Sequence, residues 1–435
     1  MRISALMMSR YRAFKEEVKI DLRKLNIIIG RNGGGKSVIA RLPLIISGGI
    51  SEDAEGLLDL TAGGVTHGTR YEDLVYQRSA QPFMLGAEIT DGETVISFKT
   101  TLRHIVENYA FAVETFELTE NGLQQVKIVA ATPEDLTASE ANFILYAKDK
   151  EPRTAEVRFV GLLPKYVEGD ADIARKMEKY RAFFENAFRS SGYLGPFRSE
   201  AASIARVPRQ GVLTLGPKGE RALDLLGDNV LRGDGVLAEQ VKSWFEQAMY
   251  GNGIIIQMAG GIPRLLVHDA ARGLDVDLAE TGAGFAQVLP IVTQLLAIDA
   301  GILKNGVSIV EQPELHLHPA AHGAVADLFI RLLQNKSPAV QICETHSEQF
   351  ITRVKLRIAE QKVDPKDVNL ISVGHQSAQG EEVEPIRQIS FDEYGSTDAW
   401  PVGVFNEAFD DLVLLKAAGA ALDRQKEAER GEGAN

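Results

Sequence analysis

The stretch LNIIIGRNGGGKSVIARL, Leu25 to Leu42, decides the fold. Asn26, Ile27, Ile28 and Ile29 form a run too apolar and too β-branched for a loop, and it stops abruptly at Gly30, as a buried strand does. Gly30, Gly35, Lys36 and Ser37 then fit GxxxxGK[ST], a phosphate-binding loop, with the strand before and the helix after that this motif requires. Glycines at 33, 34 and 35 let successive backbone N–H groups turn inward around a polyphosphate, where a Cβ would crowd the oxygens. The helix that follows adds the positive end of its dipole. The segment Asn32 to Ser37 is therefore the expected nucleotide contact, with the Lys36 ammonium between the β and γ phosphates and the Ser37 hydroxyl on magnesium. The plainer reading, a glycine-rich hairpin or cap, accounts less well for the flanking strand and helix.

Working outward, apolar strands and helical patterns alternate. RISALMMSRYRAF and EEVKIDL read as two strands leading into the loop strand. From Phe83 to Val129 the pattern changes to hairpins turning at Asp91-Gly92 and Asn121-Gly122, dipeptides that accept positive φ. Helical periodicity takes over in DIARKMEKYRAFFENAFRS, GVLAEQVKSWFEQAM and FAQVLPIVTQLLAIDAGIL. Beyond them, GVSIV and AVQIC are short apolar runs of the kind buried in a parallel sheet, with a helical segment between them. The tail from Ala417 reads as a solvated helix that frays.

The 435 residues carry 60 acidic and 47 basic side chains, a formal charge of −13, which argues against a surface attractive to nucleic acid all over but leaves room for a local basic groove. A single cysteine, Cys343, excludes an internal disulfide and fits a reducing, cytoplasmic setting. Its place in an apolar run favours a small buried hydrophobe over a nucleophile. No charge-free span is long enough to cross a bilayer.

Three further segments bear on chemistry. VSIVEQPELHLHP is an apolar strand that ends in acids, delivering Glu311 to the carboxyl edge of a parallel sheet where magnesium would sit. AVQICETHSE ends at Thr345 and His346, and the histidine is placed to sense a γ phosphate. AETGAGFAQVLP opens a helix with a glycine pair, Gly282 and Gly284, a second anion-binding helix start. If two copies face each other, that second start closes over the nucleotide held by the first.

The set RNGGGKS, ETGAGFAQVLP, IVEQPELHLHP and ETHSE, in this order and spacing, resembles the ABC-type ATPase heads of RecF, SMC and Rad50 proteins, and more closely the AAA-type ATPases related to the OLD family. YLGPFR (Tyr193 to Arg198) and DAWPVGVFNEAF (Asp398 to Phe409) resemble a subgroup with a C-terminal extension. The resemblance implies an α/β P-loop NTPase of ABC-head type with an antiparallel β-rich lobe and a helical lobe inserted. The expected division is 1–84 and 271–375 for the two parts of the head, 85–270 for the inserted lobes and 376–435 for the extension. It implies ATP and Mg2+ as cofactors, Lys36 and Ser37 on phosphate and metal, Glu311 in the acidic-strand position, His346 as switch histidine, and Gly282 and Gly284 acting in trans across an ATP-sandwiched dimer. The further partner is an effector protein subunit; nucleic acid is a candidate and a membrane is not. DNA repair and defence against phage are the settings in which such heads occur.

One departure matters. Gln312 stands where related heads place a catalytic glutamate, and an amide orients water but takes no proton. The expectation is slow hydrolysis supported by Glu311 and Glu314, with Gln312 positioning water; a nucleotide-gated clamp with little turnover is the alternative. The short segment after His346 shows no nuclease pattern, and no heptad run forms a coiled-coil arm. For His316, His318 and His322 a zinc site competes with a loop facing a dimer partner, and the missing thiol or carboxylate support favours the loop. Gln77 is either a magnesium-touching glutamine or a surface residue. Arg198, Arg206 and Arg209 form either a basic groove or a solvated loop, and Arg198 alone either contacts phosphate or a dimer partner or pairs with a nearby acid.

Overall fold

The computed structural model describes residues 1–106, 109–132, 136, 142–189, 191–199, 204, 211–249, 251–259, 262–281, 283–374, 385–398, 400–401, 405, 411, 413–420 and 422. The chain opens with β1 (Arg2–Ser9), β2 (Val18–Asp21) and β3 (Leu25–Gly30), and α1 (Lys36–Ile50) leaves the glycine loop. Seven antiparallel strands follow: β4 (Phe83–Asp91), β5 (Thr94–Ile105), β6 (Ala110–Glu120), β7 (Leu123–Ala130), β8 (Asn142–Ala147), β9 (Arg153–Val160) and β10 (Leu163–Val167). Next come α2 (Ala171–Phe188), the short β11 (Gly192–Leu194), α3 (Ala222–Arg232), α4 (Val236–Ala248) and a three-stranded meander of β12 (Gly253–Ala259), β13 (Ile262–Asp269) and β14 (Leu274–Asp277). The remainder alternates: α5 (Ala283–Asp299), β15 (Val307–Glu311), α6 (Pro319–Gln334), β16 (Val340–Glu344), α7 (Glu348–Ala359), β17 (Val368–Val373) and β18 (Ile386–Ile389).

Among the described residues these strands make three sheets, and the six-stranded one, ordered β11-β15-β16-β3-β17-β18, positions the site. Its central strand β3 runs parallel to β16 on one side and β17 on the other, and all six of its residues are buried. Alternation splits them between two cores. Ile28 packs with α1, α2 and the antiparallel strands, whereas Ile27 and Ile29 pack with the apolar faces of α5, α6 and α7. A strand covered on both faces must be apolar throughout, which is why this segment reads as a continuous run. Asn26 is the polar exception, fully buried and satisfied: its amide donates to the carbonyls of Arg23 and Gln341, and its oxygen accepts from the Arg23 N–H.

The nine-stranded sheet, ordered β10-β9-β8-β7-β6-β5-β4-β1-β2, begins with the N-terminal strands, because β4 pairs with β1. The second hairpin turns at Asn121-Gly122 as expected, both at positive φ, 50° and 75°, whereas the first turns one residue later than expected, at Gly92-Glu93, because Asp91 stays in β4 and pairs with Thr94. The far end of this sheet is tied to α1. Leu162 donates its N–H to the Gly49 carbonyl at 2.5 Å, and a Cβ on Gly161 would stand 1.8 Å from the same oxygen, so only glycine permits the contact. Arg181 of α2, 2% exposed, closes the junction by donating to the carbonyls of Ile50, Val160 and Leu163, each at 2.8 Å.

After β17 the chain turns back through β18, and Phe391 and Ile389 enter the core beside α7. The Lys355 ammonium lies 4.4 Å from the centre of the Trp400 ring, a cation–π contact that fixes this part of the extension to α7.

Arg181→Ala strands three buried carbonyls without donors, so the unfolding free energy should fall by about 3 kcal/mol. Urea unfolding reads this directly; a midpoint equal to that of the wild type would dismiss Arg181 as the tie between α1 and the sheet.

Candidate nucleotide site

The loop between β3 and α1 is shaped by glycines that are required for different reasons. Gly30 has φ 142°, and a Cβ there would meet the Val373 carbonyl oxygen of the neighbouring strand at 2.2 Å. Gly35 has φ 100° and lies against the Phe14 ring, 2.9 Å from where its Cβ would be. Gly34 is tight against the Arg31 and Val373 carbonyls, while Gly33, at φ 77°, faces open space. Crowding of a ligand is thus only part of why the loop is glycine-rich; the body of the protein presses on it from behind. Asn32 is exposed at the tip.

Gly35 caps α1 in the left-handed conformation and no side chain caps the helix, so its first-turn N–H groups point into the loop without a side-chain acceptor. Lys36 is 5% exposed, and its ammonium donates to the carbonyls of Gly30 at 3.0 Å and Arg31 at 2.8 Å. Burial lowers its pKa and the nearby Glu344 carboxylate opposes that shift. The lysine is held inside the loop it would serve.

Behind the loop, β15 and β16 are in register with Glu311 opposite Glu344, which brings two carboxylates to the carboxyl edge of the sheet. They have different partners. Ser37 Oγ donates to Glu344 Oε2 at 2.9 Å. Glu311, 1% exposed, is held by Arg41, one turn beyond Ser37 on α1, through two bonds: Nε to Oε1 at 2.6 Å and Nη2 to Oε2 at 2.7 Å. Tyr193 completes that pair, its ring centre 5.7 Å from the Arg41 guanidinium. Burial, and then the neighbouring charge of Glu311, raise the Glu344 carboxyl above its ordinary 4.5, with the Ser37 bond, Lys36 and Arg41 pulling the other way.

The turn after β15 folds inward. Gln312 takes φ 46°, and its N–H donates to the Glu344 carbonyl at 2.7 Å. Glu314 accepts from Thr345 Oγ1 at 2.8 Å and from the His346 N–H at 2.6 Å, clipping the acidic turn to the end of β16. His346 has its pKa lowered by burial and by the Lys36 charge, which favours the neutral imidazole. Arg198, 6% exposed, lies beneath this turn and donates to the carbonyls of Glu311 (2.7 Å), Gln312 (3.2 Å) and Gln287 on α5 (3.3 Å). Burial pulls its pKa down to about 10. Its partners are carbonyls where the sequence suggested phosphate, a dimer partner or an acid.

The structure therefore gathers Lys36, Ser37, Glu311, Gln312, Glu314 and His346 around one loop. Gly284 lies apart from the loop, at the start of α5, where a Cβ would stand 3.0 Å from the His316 carbonyl; Gly282 falls outside the described residues, as do Arg206 and Arg209. Gln77 is exposed with its amide on the Tyr76 hydroxyl at 3.3 Å. His322 is buried between Ser347 Oγ (2.8 Å) and the Leu317 carbonyl (3.3 Å), and His318 caps α6 by accepting from the Ala320 N–H. Among the described residues no cluster of three or more His, Cys, Asp or Glu side chains forms a metal site. Cys343 is fully buried in β16. Sequence reasoning missed Arg41 and the bond from Ser37 to Glu344, although ETHSE ends an apolar run with an acid just as IVEQ does.

No protein-family model matches the chain, and no curated protein matches it. Among solved structures, an SMC head bound to the C-winged helix domain of ScpA is similar over 90% of this chain and 99% of its own, at 15% identity and a TM-score of 0.46. The SMC head domain from Thermotoga maritima is similar over 90% of this chain and all (100%) of its own, at 10% identity and a TM-score of 0.41. A Pyrococcus furiosus Smc head with an extended coiled coil, bound to the C-terminal domain of ScpA, is similar over 89% and 96%, at 13% identity and a TM-score of 0.43. Likeness at this level assigns no residue a role. The strand order and the glycine loop themselves make this an α/β fold in which a glycine loop joins a buried parallel strand to a helix, with a large antiparallel sheet. Among the described residues no helix is long and apolar enough to cross a membrane.

The raised Glu344 carboxyl has a sign that can be tested. A carboxyl whose folded pKa exceeds its unfolded value costs stability once pH passes the unfolded value, near 4.5, and that cost is complete above the folded value. Glu344→Gln keeps an acceptor for Ser37 and removes the charge, so in EDTA it should melt higher than the wild type at pH 7 and equal to it below about pH 4. A lower melting temperature at pH 7 would contradict the burial described for this carboxylate.

Proposed function

We propose that the chain binds ATP with magnesium at the glycine loop and hydrolyses it slowly, as a head that pairs with a second copy around the nucleotide and gates a partner subunit. The observation that carries this is the uncapped start of α1 behind Gly33, Gly34 and Gly35, with Lys36 and Ser37 directed inward and acidic side chains backing them. The residues fit the group on their own chemistry. The loop offers N–H donors and one ammonium to a polyanion, and Ser37 with the nearby carboxylates offers only oxygen, the donor type magnesium takes. Bound Mg-ATP supplies the phosphoryl group and the charge shielding of its oxygens. Lys36 exchanges two carbonyl acceptors for phosphate oxygens, a short movement of an ammonium already in the loop. Gln312 orients water, and Glu314 couples that turn to Thr345 and His346.

A second reading, a clamp with little turnover, draws on a specific observation: both Glu314 oxygens already accept hydrogen bonds and Gln312 has no basic group, so neither residue of the acidic turn is free to take a proton from water. The OLD-like subgroup, the division into 1–84, 85–270, 271–375 and 376–435, a cytoplasmic setting, an effector subunit, and a place in repair or anti-phage defence belong to this proposal, on the motif set quoted above. In the paired state Gly282 and Gly284 of one copy close the site of the other, and nucleic acid is a candidate activator.

Steady-state phosphate release distinguishes the readings. Lys36→Ala should abolish both nucleotide binding and release. Gln312→Glu, by installing a proton acceptor, should raise release on the order of a hundredfold if chemistry limits turnover. Light scattering with and without Mg-ATP should show pairing only with nucleotide. Wild-type chain that is folded and takes up no ATP would sink the proposal.

A further inference from the structure

The acidic strand of such a fold is expected to supply the carboxylate nearest the metal, and Glu311 is the residue in that position. Its two oxygens are already occupied. Arg41 meets both of them, the Glu311 side chain is 2% exposed, and Arg198 holds the backbone of the same residue from below. To reach a cation, Glu311 would have to abandon a guanidinium fixed to the same helix that carries Ser37 and braced by Tyr193. A bidentate arginine pair in so dry a setting does not part readily, because separation leaves two charges without partners.

Glu344 is about as buried, 3% exposed, but differs in the partner of its side chain. It ends the neighbouring strand at the same height, opposite Glu311, and what it meets is the neutral hydroxyl of Ser37. The distance between Ser37 Oγ and Glu344 Oε2, 2.9 Å, is close to the edge of an octahedron whose metal–oxygen bonds are about 2.1 Å, which is about 3.0 Å. The hydroxyl can turn its proton away and present a lone pair without moving its oxygen. Magnesium in nucleotide sites takes one or two protein oxygens and completes its shell from phosphate and water.

We infer that the carboxylate that holds the divalent cation in this chain is Glu344, at the end of β16 and 2.9 Å from Ser37, while Glu311 is retained by Arg41 as a buried anchor that fixes α1 to β15. The assignment rests on the ATP reading above and deepens it. It divides between two strands a task that the sequence assigns to Glu311 alone. Arg41 is a positioning residue: it orients the helix that carries Ser37 and touches no ligand.

The test uses full-length protein and reads binding. A fluorescent ATP analogue is titrated in EDTA and then with increasing Mn2+, and bound Mn2+ is followed by electron paramagnetic resonance. Glu344→Gln should bind the analogue in EDTA as the wild type does, while its Mn2+ midpoint rises about tenfold to a hundredfold. The double variant Arg41→Met with Glu311→Gln removes both partners and leaves no lone buried charge, and its Mn2+ midpoint should rise by less than that of Glu344→Gln. A Glu344→Gln midpoint unchanged from wild type, or a large shift confined to the double variant, overturns the assignment and leaves the ATP reading standing. Wild-type protein that takes up no analogue in either condition overturns the ATP reading and this assignment with it.

Discussion

Everything in the site depends on how closely β3 and β17 approach at Gly30. With the Val373 carbonyl only 2.2 Å from where a Cβ would stand, the strand has no choice of residue at the point where it becomes a loop. That contact sets the direction in which the chain leaves the sheet, and hence the origin of α1. Phe14 presses Gly35 from the other side, so the loop is molded at both ends by protein before any ligand arrives. A pocket shaped in this way is preorganised: the donors point inward because the backbone has nowhere else to go.

A consequence is that the charges around the loop are arranged in layers. Lys36 lies innermost on two carbonyls, Glu344 and Glu311 stand behind it on adjacent strands, and Arg41 and Arg198 enclose the acids from either side. Of the two carboxylates, Glu311 has a guanidinium on both oxygens, whereas the hydrogen-bond partner of Glu344 is a neutral hydroxyl, with Lys36 and Arg41 acting on it through their charge.

The parts legible in the sequence were those encoded by neighbours along the chain. Ile27 to Ile29, the glycine loop and the turn at Asn121-Gly122 carry local signals, periodicity or backbone permissiveness, and each lies where those signals place it, while the turn expected at Asp91-Gly92 is displaced by one residue to Gly92-Glu93. Glu311 at a strand end was readable for the same reason. Its pairing with Arg41 was not, because the two lie 270 positions apart, and the bond from Ser37 to Glu344 spans 307. Only the sheet order, with β16 between β15 and β3, determines which acid faces which helix residue. Arg198 illustrates the same limit: the sequence offered a basic groove or a solvated loop, whereas burial beneath the acidic turn follows from tertiary packing alone.

The weld between α1 and the turn joining β9 to β10 has a mechanical meaning. This helix is gripped at its head by the loop and at its tail by Leu162 and Arg181, so it cannot slide along its axis without dragging the remote rim of the nine-stranded sheet. Such a helix is a mechanical link, joining the glycine loop at Lys36 to the buried turn at Gly161 on the edge of the large sheet.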